Sequence, residues 1–402
     1  MNSAVVRTLP AMTAVQALVA MGTFALSVLA PQLGVDVQAL GWLGGVLFGI
    51  GALSSLVAGW LIRRVGDLQL AALCTLCVAL AMLCLASDAL GVGTARWSLW
   101  PAVLLLGLAF GPETPASASV LSRVTPLARR PWVFSIRQTG NQIGAMAGSL
   151  TLPLLLVHHP AWPFALVAGL AIGVTLWCLA LVRSDGPAPT PVTPAGAGPV
   201  GGSHGLHELA ASSALRLLTV TMIVFMSTQM CLNFFMMSHA VRHWQLPVPQ
   251  AAGWVALMQA AGLVGRLLWG RVAQRPGVST ARLLGGLGLL IGATGLLLFL
   301  WPGTPPAAAL AVLLALLGLS ASGWNGVMVA EVARIAGPAR AGAVTGAVLL
   351  FGYAGLALAP VGFAAVGAFA GTGTAFCLLL GATTLMGVRL LAPRAAQPVP
   401  PQ

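Results

Sequence analysis

Three ionisable side chains stand inside otherwise apolar runs: Glu113, Arg137 and Arg266. Glu113 lies in Gly111-Pro112-Glu113-Thr114-Pro115, ten residues before Arg123. At ~1.5 Å per helical residue that puts it about 15 Å deep, near a bilayer midplane. A carboxylate there is either a proton carrier or half of a static ion pair with Arg137. The two prolines are expected to break the helix that carries it. Arg137 opens a polar patch with Gln138, Asn141 and Gln142, five residues past Trp132, and a snorkelling Arg is the alternative there. Arg266, five residues before Arg271, is at matching depth. A guanidinium is permanently charged and grips a carboxylate through two hydrogen bonds, which suits anion binding; a gate residue is the competing reading.

These groups need elements that hold them in lipid. Of 402 residues 58% are hydrophobic and only 6% charged, against roughly 25% in soluble domains, so the chain is read as a multi-pass membrane protein. All 19 basic residues are Arg. Without lysine, neither a phosphate-binding loop of nucleotide hydrolases nor Schiff-base catalysis is available, and no nucleophile–base pair is evident; an enzyme is not expected. Six cysteines fall in apolar stretches and are read as small hydrophobes. Twelve windows reach spanning length: 8–30, 38–61, 68–88, 97–122, 132–157, 160–182, 213–243, 249–272, 280–302, 305–334, 340–367 and 371–392. Fifteen arginines fall at one set of ends and two, Arg96 and Arg242, at the other, so the first set and both termini are placed in the cytoplasm. The charge of +12 is thus a topology signal, not a nucleic-acid footprint. The first apolar run reads as a retained helix. The Pro- and Gly-rich stretch divides the chain into a bundle over 1–185, a flexible cytoplasmic linker over 186–212 and a bundle over 213–402.

The two bundles repeat at a fixed offset. Gly59 pairs with Gly270, Gly66 with Gly277, Gly107 with Gly318, Arg123 with Arg334 and Arg129 with Arg340, each 211 apart. A parallel repeat of six spans predicts two pseudo-symmetric bundles around a central cavity exposed alternately to either side. On these features the chain resembles the major facilitator superfamily of secondary transporters. That family's motif GxxxDRxGRR follows its second helix and is echoed after its eighth. The second copy here is Gly270-Arg271-Val272-Ala273-Gln274-Arg275-Pro276-Gly277; the first is Gly59-Trp60-Leu61-Ile62-Arg63-Arg64-Val65-Gly66-Asp67. Arg63 and Gln274 stand at the acidic positions, and Glu331 is read as pairing with Arg271 or Arg275, or with Arg334 three residues on. Arg266 in RLLWG resembles the monocarboxylate and oxalate/formate branches, where an Arg at that place holds the substrate carboxylate.

The offset maps Glu113 onto Trp324, placing Trp324 and Asn325 mid-membrane as cavity wall together with Tyr353. Gln229, Asn233 and Gln16 are further lining candidates, and Met222, Met226, Met230, Met236 and Met237 are core or an adaptable apolar surface. His239 and His243 share a helix face, yet no metal site or cofactor is expected. The expectation is an all-α transporter in the bacterial inner membrane, monomeric, moving a small organic solute, foremost a carboxylate anion, by alternating access. Arg266 and Arg137 would bind the anion and Glu113 would couple to protons. A drug/proton exporter of the same fold and a non-transporting membrane sensor are the alternatives.

Overall fold

With no water in the bilayer core, backbone N–H and C=O groups must bond within the segment, so apolar runs of this length fold as helices. The computed structural model describes residues 3–91, 98–126, 129–185, 203–337 and 340–392. Its helices are α1 (Ser3–Leu29), α2 (Val37–Val65), α3 (Asp67–Ala89), α4 (Leu99–Val124), α5 (Arg130–His158), α6 (Trp162–Asp185), α7 (Ser203–Ala211), α8 (Ser213–Arg242), α9 (Val248–Ala273), α10 (Thr280–Phe299), α11 (Ala307–Ala321), α12 (Trp324–Ala336), α13 (Ala341–Ala370) and α14 (Thr372–Leu391). Twelve spans result, because α11 and α12 together make one and α7 makes none. Among the described residues there is no strand. Leu358, Val157 and Phe369 are largely exposed, as side chains turned towards lipid are.

The 211-residue offset holds at helix starts: Val37 matches Val248 and Arg130 matches Ala341. It also holds in packing. A Cβ on Gly107 would come within 2.6 Å of the Leu47 carbonyl oxygen, and one on Gly318 would collide with the carbonyl of Met258, the residue 211 beyond Leu47. Both glycines let two spans touch backbone to backbone. The ridge Gly140 and Gly144 does the same for α5 on α1, against Thr13 and Ala17.

Two local expectations are revised. Pro112 and Pro115 lie inside a continuous α4. The interruption falls instead in the other copy, at Ser322-Gly323 between α11 and α12. There Gly323 N–H bonds to Ser320, and the freed Leu319 carbonyl accepts from the Trp269 indole at 3.0 Å. A break in lipid is tolerated where side chains take over the lost bonds in this way. The second revision concerns the linker. Ser203–Ala211 is the helix α7, with Leu209 buried, Gly205 against Ala343 of α13, and Glu208 paired with Arg340. The rest of the predicted linker (186–202), with Arg96, Trp97 and Arg394, lies outside the described residues.

The two sets of six spans meet along two seams. At the ends away from the arginine clusters, α2 lies on α13: Gly41 against Pro360 and Ala364, Gly45 against Val361. Phe48 meets Phe234 there edge-on at 5.8 Å, and Arg242 donates to the Val35 carbonyl at 2.6 Å. The other seam joins α5 to α9. Arg271 lies 5.6 Å over the Trp132 ring at its arginine-rich end.

Candidate functional site

Glu113 and Arg137 form a buried ion pair, Nη2 to Oε1, with both side chains almost wholly shielded. Arg137 therefore does not snorkel. Ser117 Oγ donates to Glu113 Oε1 at 3.1 Å and Thr114 Oγ1 to Oε2 at 2.9 Å, while Arg137 Nη2 also reaches Thr114 Oγ1 at 3.2 Å. The helical spacing of Glu113, Thr114 and Ser117 on α4 supplies these partners, and Gly111 makes room by abutting α2. Arg137 Nε and Nη1 have no partner among the described residues. Guanidinium donors in a dry site without acceptors are costly unless something bonds to them.

A second network crosses between the halves. Gln138 Oε1 on α5 accepts from Gln16 Nε2 on α1 at 3.2 Å and from Arg266 Nη1 on α9 at 3.4 Å. Gln16 Oε1 and Arg266 Nε are left without partners. Gln138 thus links Arg266 to its own chain neighbour Arg137, while Tyr353 on α13 is half-buried against the apolar core. The structure gathers Glu113, Arg137, Gln138, Gln16 and Arg266 about one locus. One carboxylate and two guanidiniums leave it with a surplus positive charge.

The remaining candidates form a neutral shelf on the second half. Asn325 Nδ2 donates to Gln229 Oε1 at 3.1 Å, and Gln259 Nε2 to Asn233 Oδ1 at 3.1 Å. Asn141 is half-buried beside Arg137 on α5. Trp324 is completely buried, edge-on to Phe225 at 5.5 Å, so in this conformation it packs as core. Met222 and Met226 likewise fill space against Gly352 of α13. Sequence reading passed over Gln259, Thr114 and Ser117. Gln259 was findable: seven residues before Arg266, it shares that face of α9.

The motif residues sit at the arginine-rich ends. Gly66 and Gly277 have φ of +95° and +81°, which only glycine adopts without strain. Gly59 and Gly270 are helical, and a Cβ on Gly270 would meet nothing within 4 Å. Asp67 is buried and takes Arg123 at 3.0 Å and Ser119 at 3.2 Å. Buried Glu331 takes Arg334 at 2.7 and 2.8 Å, the helix-internal option, together with Thr280. Arg63, Arg64 and Arg275 are exposed, Arg64 lying 5.4 Å over Trp60.

At the opposite end His239 Nδ1 bonds Thr372 Oγ1 at 2.7 Å, and its ring stacks on His243 at 4.7 Å. Among the described residues no cluster of three His, Cys, Asp or Glu side chains could hold a metal, and the six cysteines are free thiols.

Residues 12–360 match the model of the Major Facilitator Superfamily. The chain belongs to that superfamily. Three solved structures show the same fold across nearly the whole chain. A variant of the nucleoside transporter NupG aligns with a TM-score of 0.76 at 14% identity, covering 96% of this chain and 98% of that one. A variant of the peptide transporter POT gives 0.75 at 17%, covering 96% and 93%. A bacterial homolog of the human lysosomal transporter Spinster, inward-facing and unoccupied, gives 0.70 at 18%, covering 97% and 95%. No curated protein matches significantly by sequence. At such identities the likeness is one of fold. By family and fold this superfamily member is a membrane-embedded protein of the transporter type.

Proposed function

We propose that this chain is a proton-coupled secondary transporter of a small carboxylate, working by alternating access in a bacterial inner membrane with its arginine-rich ends in the cytoplasm. One observation carries the reading: Arg266 of the second half donates to Gln138, the chain neighbour of Arg137 in the first, and both arginines keep buried guanidinium N–H groups unpartnered among the described residues, with Glu113 the carboxylate paired to Arg137. A monoanion would balance that charge and satisfy those donors with paired hydrogen bonds. Because the two arginines belong to different halves, an anion held by both draws the halves together, which is what coupling solute to rocking requires. The place of Arg266 in RLLWG, resembling the monocarboxylate and oxalate/formate branches, supports the same class.

Glu113 is the coupling group in this reading. Protonation would remove the charge that occupies Arg137, free a second guanidinium for the solute and raise the surplus the anion meets from one positive charge to two; loss of the proton would restore the pair and weaken the hold on the anion. Asn325, Tyr353, Gln229 and Asn233 would shape the remainder of the cavity, with Asn141 beside Arg137 and Trp324 behind. Asp67–Arg123, joining α3 to α4, would brace the first motif loop, and Glu331, tied to Thr280 of α10 as well as to Arg334 of its own helix, would brace the second. A cation exporter fits less well, since the one midplane acid is already neutralised by Arg137.

The test is uptake of radiolabelled monocarboxylates into proteoliposomes. An inward proton gradient should raise initial rates, and Arg266→Ala should lower uptake about 100-fold or more, as loss of a buried charge-assisted pair implies. Equal uptake by Arg266→Ala and the parent would refute the anion assignment. Binding without flux would favour a sensor.

A further inference from the structure

Gln142 belongs to the polar patch of α5 but to neither network just described. It is 1% exposed, and neither the oxygen nor the nitrogen of its amide has a partner among the described residues. A shielded primary amide left unbonded costs stability, and a leucine of similar size would fill the same space without that cost.

Its position follows from helical geometry. At 100° per residue, Gln138 and Gln142 lie about 40° apart on α5. Gln138 bonds Arg266 of α9 as well as Gln16 of α1, and the glycines that touch α1, Gly140 and Gly144, lie about 160° from Gln142, so the side of Gln142 looks onto the second half. The two helices run antiparallel, since Trp132 meets Arg271 where Gln138 meets Arg266. One turn further along α5, Gln142 therefore faces the stretch of α9 between Arg266 and Gln259. Gln259 is 2% exposed and is itself tied to Asn233 on α8. Gln142 thus lies about one helical turn (~5.4 Å) along the seam from the Gln138–Arg266 contact, on the side of the Gln259–Asn233 amide pair of the second half.

We propose that Gln142 is a specificity residue. Backed by Gln259 and Asn233, it forms a neutral subsite beside Arg266 that bonds a hydroxyl on the solute. The inference rests on the carboxylate reading and narrows it: the solute is a hydroxy-carboxylate rather than a plain alkyl carboxylate. An amide donates and accepts together, which matches a hydroxyl. One turn of separation places that hydroxyl two or three carbons from the carboxylate, as in a 3-hydroxy acid.

The probes are butyrate and 3-hydroxybutyrate, which differ by that one group. Thermal stabilisation of the purified full-length protein and counterflow in proteoliposomes should both favour the hydroxy acid by about tenfold or more. In Gln142→Leu that preference should vanish while butyrate still binds. The ligand-free variant should melt no lower than the parent, because an unsatisfied amide has been removed. A lower ligand-free melting temperature would instead mark Gln142 as structural and overturn the proposal, as would a retained preference. Equal binding of both acids by the parent protein overturns this inference alone. Binding of neither acid overturns the carboxylate reading, and this inference with it.

Discussion

The two halves share a backbone plan and divide the chemistry unequally. At the repeat-related centre the first half carries Glu113 on α4 facing Arg137 on α5; at the same register the second half carries Trp324 and Val348, both fully buried. The prolines of the first copy, Pro112 and Pro115, correspond to Gly323 and Gly326. The proline-bearing helix stays continuous and the glycine-bearing one breaks. The lesson lies in what supports each. Proline fixes its own φ near −65°, a helical value, so α4 loses hydrogen bonds without losing direction. Glycine carries no such restraint, and once Trp269 and Asn325 offer side-chain partners to the freed carbonyls the helix can turn. A repeat can thus keep one register while breaking the helix in a single copy, and can confine the carboxylate–guanidinium pair to one side.

The largest effect should come from breaking the charged centre. Glu113→Ala leaves Arg137 fully buried without its counter-charge, and removing one partner of a buried pair typically costs about 3–5 kcal/mol. Replacing both, as Glu113→Leu with Arg137→Met, should return most of that stability and still abolish proton-driven flux, since apolar pairs of similar volume replace buried ion pairs with little loss. The symmetry mate has no such rescue. Trp324→Ala should cost a comparable ~3–5 kcal/mol through the cavity it leaves, and no second substitution that alters charge should restore it. Thermal unfolding in detergent reads all three proteins. A double variant no more stable than Glu113→Ala would mean that the centre of the first half is held by packing.

A smaller effect separates the halves by how tightly they are closed. Gly144 and Gly355 are repeat mates. A Cβ at Gly144 would collide with the Ala17 carbonyl, whereas at Gly355 it would meet the Ile223 Cγ2 at 2.9 Å and the Ile223 carbonyl oxygen at 3.2 Å, a milder overlap that a small separation of α13 from α8 relieves. Gly144→Ala should therefore cost about 1–3 kcal/mol by forcing α5 from α1, and Gly355→Ala less than half as much. Equal melting temperatures would show that α5 shifts on α1 as freely as α13 does on α8.

Much of the architecture was legible because hydropathy counts spans directly and lipid admits few alternatives. Predicted and observed span ends agree to within five residues, and the offset read from Gly107 and Gly318 reappears as the same backbone contact in both halves. Glu113 with Arg137 was legible because charge at that depth needs a partner. The break at Ser322-Gly323 was not, since prolines announce themselves and a Ser-Gly pair does not. Trp324 packs edge-on against Phe225, and depth alone says that a residue is in the membrane, not whether it faces a cavity or a neighbouring ring. The helix at Ser203–Ala211 is too short to register beside a Pro-rich stretch, and it acquires its face only from α13.

The smallest effects lie in the motif loops, where the halves should agree with each other and the glycines within each copy should not. Gly66 and Gly277 sit at φ of +95° and +81°. An alanine there is held at positive φ, at a cost on the order of 1–3 kcal/mol. At Gly66 the added Cβ also runs into the Gln69 side chain, whereas at Gly277 it meets nothing within 4 Å. Gly277→Ala therefore isolates the backbone term. Gly270, seven residues earlier in the same motif, is helical with open space about it. Alanine there should gain up to about 1 kcal/mol from helix propensity, as the entropy lost on ordering glycine disappears. The two alanine variants should move the melting temperature in opposite directions. If Gly270→Ala keeps or raises stability but slows transport, its glycine serves a second conformation in which another helix must come closer. If it also destabilises the resting protein, the loop is packed more tightly than the open space around Gly270 allows, and the distinction between turning glycines and helical glycines in this motif fails.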